Sequence, residues 1–242
     1  ADPHLSVARI ELLEDGRPVQ TRVERFGVRK LEGRGKDFYL NGKPFFIRGC
    51  GDNAVYPETG VSPADKDCHL KHLRLLRSAG FNYVRMHTHF EQPEYFDAAD
   101  EAGVLLAPEL AYYADECNDH FDYDPLRDAY DAFVAFRRNV SFAVRGCGNE
   151  GTLGGDAGAG RRLYAFLKRI DPDRLVIEQD SDCFSATPHC RSFNLPGTSD
   201  LVGGPIKPWT RGSCQADRPI IAHEYLNLSV KANALLEDEY RK

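Results

Sequence analysis

Apolar and polar residues alternate along the first part of the chain. Residues 4–32 carry near-alternating apolar positions on both sides of a turn at residues 14–16, EDG, and this pattern predicts a β-hairpin. A second turn, LNGKP at residues 40–44, precedes the short apolar run FFIRGC at residues 45–50. We predict that this run is the first strand of the main domain.

Beyond that run, apolar segments alternate with segments of helical periodicity. The helical rhythm predicts helices at residues 65–80, 93–103, 125–139, 160–172 and 230–242. Apolar runs predict buried strands at residues 81–87, 104–110, 141–150, 174–181, 200–204 and 218–225. The Gly-rich stretch at residues 151–160 is interpreted as a loop, because it lacks the Lys of a phosphate-binding loop.

The alternation of strands and helices indicates parallel βαβ units and an α/β fold. Seven successive strands favour a (β/α)8 TIM barrel over an open doubly wound sheet, which remains the alternative. The usual nucleotide-binding fingerprints are missing, and this argues against the open sheet. A closed barrel needs an eighth strand, which the pattern does not identify. We expect that strand beyond residue 242, in a segment that the sequence lacks, or replaced by another element.

Composition and charge exclude several classes of function. The 242 residues are 42% hydrophobic, which is enough for a large core. The net charge is -6, with acidic and basic residues interspersed, and this argues against nucleic acid as a partner. No apolar run has the roughly 18 residues that a membrane span requires. We expect a soluble protein of secreted, periplasmic or cytoplasmic location with no membrane partner, and a homo-oligomer is left open.

Polar residues terminate several of the predicted strands. The carboxyl ends of parallel strands meet at one mouth of a barrel, so these side chains are expected to converge there. They are Arg85, His87 and His89 after the second strand, Glu109 after the third, Asn149 and Glu150 after the fourth, Glu178 and Asp180 after the fifth, and His223 with Glu224 after the seventh.

Glu150 and Glu224 form the best candidate catalytic pair. Glycosidic bond cleavage needs one protonated carboxyl group to assist departure of the aglycone and one carboxylate to attack the anomeric carbon. Each follows a strong apolar run and has a polar neighbour, Asn149 or Tyr225, that can bond a sugar hydroxyl. Two nearby negative charges would raise the pKa of one carboxyl and keep it protonated near neutral pH. For the other strand-end carboxylates, an ion pair or a helix cap is the favoured interpretation.

A set of longer motifs covers nearly the whole chain. They are FYLNGKPFFIRGC followed by YPETG, then LRSAGFNYVRMH, FDAADEAGVLLAPE, FRRNVSFAVRGCGNE and RPIIAHEY. With these motifs the chain resembles glycoside hydrolase family 2, the family of β-galactosidases, β-glucuronidases and β-mannosidases.

The resemblance implies a retaining exo-β-glycosidase that removes terminal β-linked sugars, such as galactose or a uronic acid, by double displacement. It implies that Glu150 is the acid/base, that Glu224 is the nucleophile and that Asn149 bonds the sugar 2-hydroxyl. It also implies that residues 1–34 are the last strands of an immunoglobulin-like β-sandwich and that residues 35–242 are the catalytic barrel. A carbohydrate is then the partner, and no cofactor is expected.

One family motif is altered in this chain. The usual R-x-S-H-Y-P appears as RMHTHFEQP, so Arg85 carries over cleanly, whereas the histidine role falls on His87 or His89. Aromatic side chains near the mouth can stack on sugar faces, and Tyr56, Tyr112 and Tyr113 are candidates together with Trp209. The candidate substrate-binding residues are therefore Asn149, Arg85, His87, His89, Glu109, Tyr225 and Trp209.

Two other functions compete with the glycosidase. The triplet HTH at residues 87–89 resembles the first metal-binding signature of amidohydrolase-type enzymes, which His223 and an Asp could complete. However, it follows the second strand rather than the first, and the fourth strand offers Asn and Glu instead of a Lys or His ligand. We therefore predict no metal site. The second alternative is a noncatalytic barrel that binds carbohydrate without turnover.

Overall fold

The structure of the chain is a computed structural model that describes residues 3–111, 124–149, 157–178, 199–203 and 217–221. It begins with an antiparallel hairpin of β1 (Ser6–Glu14) and β2 (Arg17–Phe26). The two residues between these strands, Asp15 and Gly16, both have positive φ, as a tight two-residue hairpin turn requires. The predicted hairpin is confirmed, whereas its place in a β-sandwich stays a prediction.

A small antiparallel sheet follows, and it changes one strand prediction. It contains β3 (Leu31–Arg34), β4 (Asp37–Leu40) and β5 (Lys43–Phe45). Because β5 pairs with β4, Phe45 belongs to this sheet, and the first parallel strand is β6 (Gly49–Asp52). The prediction of one strand over residues 45–50 was therefore wrong: two strands of different sheets divide this apolar run.

Seven parallel strands follow one another in chain order within the described residues, as the pattern predicted. After β6 they are β7 (Tyr83–Met86), β8 (Leu105–Pro108), β9 (Val144–Gly146), β10 (Leu175–Ile177), β11 (Val202–Gly203) and β12 (Ile220–Ile221). Strand β7 pairs with both β6 and β8, β9 pairs with β10, and β11 pairs with β12. Parallel bridges from Leu106 to Phe142 and from Glu109 to Gly146 join β8 to the segment that contains β9.

Four helices connect these strands in the described part of the chain: α1 (Lys66–Ser78), α2 (Pro93–Ala102), α3 (Pro125–Phe136) and α4 (Ala157–Ile170). The side chain of Asp65 caps α1, and Gly103 ends α2 in the left-handed conformation with φ 72°. None of these helices is both long and apolar enough to cross a membrane. The predicted helix at residues 230–242 lies outside the described residues.

Helix α4 corrects the interpretation of the Gly-rich stretch at residues 151–160. The helix begins at Ala157, so the last residues of that stretch are helical and not part of a loop. Glycine lowers helix propensity, but Leu163 and Leu167 on the same helix are buried in a core cluster, and this packing outweighs the local preference.

Two apolar layers surround the parallel strands. Between strands and helices, Phe96 of α2 stacks on Phe136 of α3 at 3.9 Å between ring centroids and meets Phe142 edge-on. On the inner side, Leu31 and Phe38 of the small sheet pack in one cluster with the residues that begin β7, β8 and β10. The small sheet therefore covers the N-terminal ends of these strands, which leaves their C-terminal ends for a functional site.

Replacing Phe96 with Ala should lower the free energy of unfolding by about 3–5 kcal/mol, because a fully buried ring is lost from a stacked aromatic cluster. Urea denaturation of the purified chain would measure this change. The control Leu75→Ala removes a side chain that is 67% exposed on α1 and should change stability by no more than about 0.5 kcal/mol. Equal losses for both variants would contradict the packing of α2 described above.

Candidate active site

Three of the predicted strand-end residues meet at the C-terminal ends of the parallel strands. Arg85 lies on β7, Glu109 directly follows β8, and Asn149 lies shortly after β9. The guanidinium of Arg85 donates from Nε to Glu109 Oε1 at 2.5 Å and from Nη2 to Glu109 Oε2 at 3.2 Å. The same Nη2 also donates to Asn149 Oδ1 at 2.6 Å. Residues 64 positions apart in the chain are thus brought into one cluster, as expected for a parallel sheet.

This cluster is almost completely removed from water. The exposed fractions are 6% for Arg85 and 1% each for Glu109 and Asn149. A buried ion pair is tolerated only when its geometry is good and its other polar atoms are satisfied. Here the pair is bidentate, and the backbone N–H of Thr88 donates a further hydrogen bond to Glu109 Oε2 at 2.9 Å. The cluster is therefore held rigidly in one arrangement.

A glycine on β9 makes room for Glu109. Gly146 forms a parallel bridge with Glu109, and a Cβ added at Gly146 would lie 2.3 Å from Cγ of Glu109. Only a residue without a side chain fits at that point. Gly146 is not among the predicted site residues, although a glycine inside an apolar strand is a signal of close approach.

The segment after β7 has an unusual backbone at Thr88. This residue adopts φ 55°, in the left-handed region that a β-branched residue rarely enters. That conformation accompanies the hydrogen bond from its N–H to Glu109. The neighbouring His87 has Nδ1 at 3.2 Å from Thr88 Oγ1, and its backbone N–H donates to the carbonyl of Asp52 at 2.9 Å.

His89 contacts a second polar group, which the sequence analysis missed. Glu91 is 4% exposed and accepts hydrogen bonds from the hydroxyls of Tyr56, at 2.6 Å, and Ser62, at 2.5 Å. Its Oε1 lies 3.5 Å from Nε2 of His89. The hydroxyl of Tyr56, a residue proposed above for sugar stacking, is thus engaged with Glu91. The only sequence signal for Glu91 was its position in the segment that directly follows a predicted strand.

The pKa values of this second group reflect its hydrogen bonds. Burial opposes ionisation of Glu91, but hydrogen bonds from Ser62 and Tyr56 and the attraction of the nearby His89 imidazole outweigh it and lower the pKa of Glu91 to about 2. Burial also disfavours the charged form of His89, yet attraction to Glu91 and the bond to the His87 carbonyl raise the pKa of His89 above its usual value. Both shifts favour a carboxylate facing an imidazolium.

The strand-end carboxylate Glu178 lies close to helix α4. It directly follows β10, and its Oε1 lies against Gly160 of α4, where an added Cβ would be only 2.4 Å away. The expectation of an ion pair or a helix cap for Glu178 stays a prediction.

The two carboxylates predicted to be catalytic lie outside the described residues. These two are Glu150 and Glu224. Other predicted site residues also lie outside the described ranges: Tyr112, Tyr113, Asp180, Trp209, His223 and Tyr225. Asn149, which immediately precedes Glu150 in the chain, is the last described residue before it. The roles of all these residues stay predictions.

The HTH metal hypothesis does not match the arrangement of the described residues. Within the described ranges, the three groups whose potential ligand atoms come together are Asp52, His89 and Glu91, and His87 is not among them. An H-x-H pair acting together on one ion is therefore not formed by this part of the chain.

Comparison with known families gives one match over most of the chain. The family model described as the TIM barrel domain of glycosyl hydrolases family 2 matches residues 31–241. A β-galactosidase of Photobacterium profundum is 27% identical over 245 residues, which cover 92% of this chain and 23% of that protein. A putative β-glucuronidase of Formosa agariphila is 32% identical over 111 residues, covering 46% of this chain and 13% of that protein. The chain thus spans about a quarter of the length of the β-galactosidases that it matches.

Solved structures show the same fold. The β-galacturonidase of this family from Eisenbergiella tayi, bound to galacturonate, superposes with a TM-score of 0.74 at 21% identity and covers 90% of this chain and 42% of that one. The β-glucuronidase of Parabacteroides merdae gives a TM-score of 0.64 at 20% identity, covering 84% of this chain and 25% of that one. These similarities establish the TIM barrel.

Replacing Gly146 with Ala should destabilise the chain by about 1–3 kcal/mol, because the new methyl group would displace Glu109 from Arg85. Urea denaturation would measure the change. Gly51→Ala on the neighbouring strand β6 is the matched control, since an added Cβ there meets nothing within 4 Å. A loss at Gly146 no larger than the loss at Gly51 would contradict the close approach of Glu109.

Proposed function

The chain belongs to glycosyl hydrolases family 2, because the model of that family's barrel domain matches residues 31–241, and we propose on this premise that it is the catalytic barrel of a retaining exo-β-glycosidase. The observation that carries the proposal is the buried cluster of Arg85, Glu109 and Asn149. It lies at the C-terminal ends of parallel strands, where TIM barrels carry their active sites, and directly precedes Glu150 in the chain.

The proposed substrates are terminal β-linked sugars of the galactose or uronic acid type. The names of the relatives support this choice, since they are β-galactosidases and a putative β-glucuronidase. A structural neighbour, the β-galacturonidase, was bound to galacturonate. The sugar hydroxyls offer donors and acceptors to polar side chains at the mouth of the barrel.

The proposed reaction is a double displacement. The carboxylate of Glu224 attacks the anomeric carbon while Glu150 protonates the departing glycosidic oxygen, so that the aglycone leaves as an alcohol and a glycosyl-enzyme forms. Glu150, now ionised, then takes a proton from water, whose oxygen attacks the same carbon and releases Glu224. Two inversions restore the original anomeric configuration.

Asn149 is the proposed partner of the sugar 2-hydroxyl. Its Oδ1 accepts the hydrogen bond from Arg85 Nη2, and this contact assigns the oxygen and nitrogen of the amide. The NH2 group is therefore the part of Asn149 that is proposed to donate to the sugar. Arg85 contributes by orienting this amide, and Glu109 contributes by holding Arg85.

The charge of the cluster also suits this role. The guanidinium of Arg85 and the carboxylate of Glu109 balance each other, so the cluster adds no net charge beside Asn149 and the residue that follows it. Protonation of Glu150 is then governed by its proposed partner Glu224, since a nearby carboxylate raises the pKa of the other carboxyl.

The hairpin at the start of the chain is proposed to be part of a β-sandwich, with residues 1–34 forming its last strands and residues 35–242 the barrel. Several apolar side chains of the hairpin are more than half exposed: Val7, Ile10, Leu12, Leu13, Val19 and Val23. Apolar strands of this kind are normally covered by further strands. The greater length of the curated relatives is consistent with such an additional domain.

Replacing Glu224 with Ala should abolish hydrolysis of aryl β-glycosides, because the attacking carboxylate is lost. Sodium azide should restore part of the turnover, since the small anion can enter the vacated space and attack the anomeric carbon. Release of the aryl alcohol, measured with β-galactoside, β-glucuronide, β-galacturonide and β-mannoside substrates, would test this and identify the sugar. Binding without turnover by the unmodified chain would instead support a noncatalytic carbohydrate-binding barrel.

Replacing Glu150 with Gln should slow hydrolysis of glycosides with poor leaving groups by about 10²–10⁴-fold, the usual contribution of general acid catalysis. Activated aryl glycosides should be cleaved with little loss in the glycosylation step, because their leaving groups need no proton. The matched control is Glu178→Gln, since Glu178 also follows a strand but lies against α4. Equal losses on both substrate classes would contradict the acid role, and an equal effect of Glu178→Gln would contradict the choice of Glu150.

A further inference from the structure

A partly buried group of side chains that can ligate a metal ion lies at the C-terminal ends of β6 and β7, and none of its members acts in the proposed displacement. It consists of Asp52 at the end of β6 and of His89 and Glu91 in the segment between β7 and α2. One potential ligand atom from each residue lies within 4.8 Å of the other two. Glu91 is 4% exposed, and the side chain of His89 is 19% exposed.

The imidazole of His89 is oriented so that Nε2 faces this group. Its Nδ1 lies 3.0 Å from the backbone carbonyl of His87, which can only accept, so Nδ1 carries a proton. Nε2 is buried, and no described residue forms a hydrogen bond with it. Its nearest charged neighbour is Glu91 Oε1 at 3.5 Å. A ring nitrogen fixed in this way by a backbone carbonyl is typical of histidines that bind metal ions through the other nitrogen.

Both carboxylates are also oriented by hydrogen bonds from neutral donors, and Glu91 has His89 as a further neighbour. Glu91 accepts from the hydroxyls of Tyr56 and Ser62. Asp52 accepts from the hydroxyl of Tyr95 at 2.9 Å and from the backbone N–H of Ala54 at 2.9 Å. These bonds orient the carboxylates but leave their negative charge in place.

The group contains two acidic side chains and one basic side chain. Two carboxylates and one imidazolium sum to a net negative charge, whereas two carboxylates, a neutral imidazole and a divalent cation sum to zero. Within the described residues, the ion pairs that involve this group contain His89 as the only basic partner. Glu91 is buried and Asp52 and His89 are half-buried, and charge that is removed from water in this way is disfavoured unless it is balanced.

We propose that Asp52, His89 and Glu91 bind a divalent first-row transition metal ion, for which Zn²⁺ is the appropriate probe. One imidazole and two carboxylates are ligands that such ions accept, and metal–ligand distances of about 2.0–2.2 Å place neighbouring ligand atoms about 3.4 Å apart. The 3.5 Å from His89 Nε2 to Glu91 Oε1 fits this spacing. The ion replaces the proton on Nε2, which passes to solvent, and the nitrogen lone pair then binds the metal.

The site has a structural role in this proposal. An ion held by all three residues connects the end of β6 to the segment after β7. That segment includes Thr88, whose backbone N–H donates to Glu109. The metal ion therefore stabilises the backbone that completes the cluster of Arg85 and Glu109. The proposal does not depend on the glycosidase reaction.

The test is calorimetric titration of the chelator-treated full chain with ZnCl2. We expect saturable binding of one ion at this site, release of protons that depends on the buffer, and a higher thermal unfolding temperature. Affinity should fall at least about 10-fold in His89→Gln and in Glu91→Gln, because each removes a ligand. His72→Gln, which changes an exposed histidine of α1, is the matched control and should bind Zn²⁺ normally.

Anomalous diffraction at the zinc absorption edge from crystals of the unmodified chain gives a result that does not depend on the folding of any variant. A peak between Asp52, His89 and Glu91 would support the proposal. A peak only at other residues, an adventitious ion only, or the absence of saturable binding would overturn it, and so would equal affinities of His89→Gln and His72→Gln.

Discussion

The buried ion pair between Arg85 and Glu109 is the constraint on which the candidate site depends. Neither charge has water to replace its partner, so loss of either would leave an uncompensated ion in the interior, at a typical cost of about 3–5 kcal/mol. The pair in turn requires Gly146, which leaves space for Glu109, and the N–H of Thr88, which occupies its second oxygen. Three neighbouring strands are thereby held with their ends in a fixed relation.

The two ends of the parallel strands have different chemistry. Apolar packing at the N-terminal ends stabilises the fold, whereas the C-terminal ends carry the polar candidate site. At the N-terminal ends, Leu31 and Phe38 of the small antiparallel sheet pack in one cluster with Tyr83 and other strand-initiating residues. At the C-terminal ends, the buried residues Arg85, Glu109 and Asn149 are polar and form hydrogen bonds within their cluster. Successive side chains of β7 point to opposite faces of the sheet. Val84 and Met86 belong to the core beneath the helices, whereas Arg85 between them contacts Glu109 in the candidate site. The apolar end and the helix layer supply the burial that supports a polar cluster at the mouth.

Much of this arrangement could be predicted from the sequence, because hydrophobic periodicity and the Pro and Gly residues that mark the ends of elements are local signals. Helix α2 runs from Pro93 to a left-handed Gly103, and both residues mark its ends in the sequence. Convergence of Arg85, Glu109 and Asn149 could also be predicted, since it follows from parallel strand direction alone.

The missed features depend on contacts between distant segments. The run at residues 45–50 divides between two sheets because β4 pairs with Phe45, and nothing in the run itself indicates that pairing. Glu91 gains its importance from Tyr56 and Ser62, which approach it from a loop about thirty positions earlier in the chain. The helical start at Ala157 likewise depends on tertiary packing rather than on local propensity.

The ion pair of Arg85 and Glu109 is neutral as a whole, and this bears on the proposed chemistry. A general acid near neutral pH requires a raised pKa, and any uncompensated cation nearby would lower it. Arg85 is such a cation, but its bidentate bonds to Glu109 cancel its charge while its remaining donor orients Asn149. The guanidinium of Arg85 can therefore contact Asn149, the residue before the proposed acid/base Glu150, without favouring ionisation of Glu150. In the proposed mechanism, the carboxylate of Glu224 then sets the protonation of Glu150, and formation of the glycosyl-enzyme removes that negative charge. The pKa of Glu150 falls at the step where it must change from acid to base.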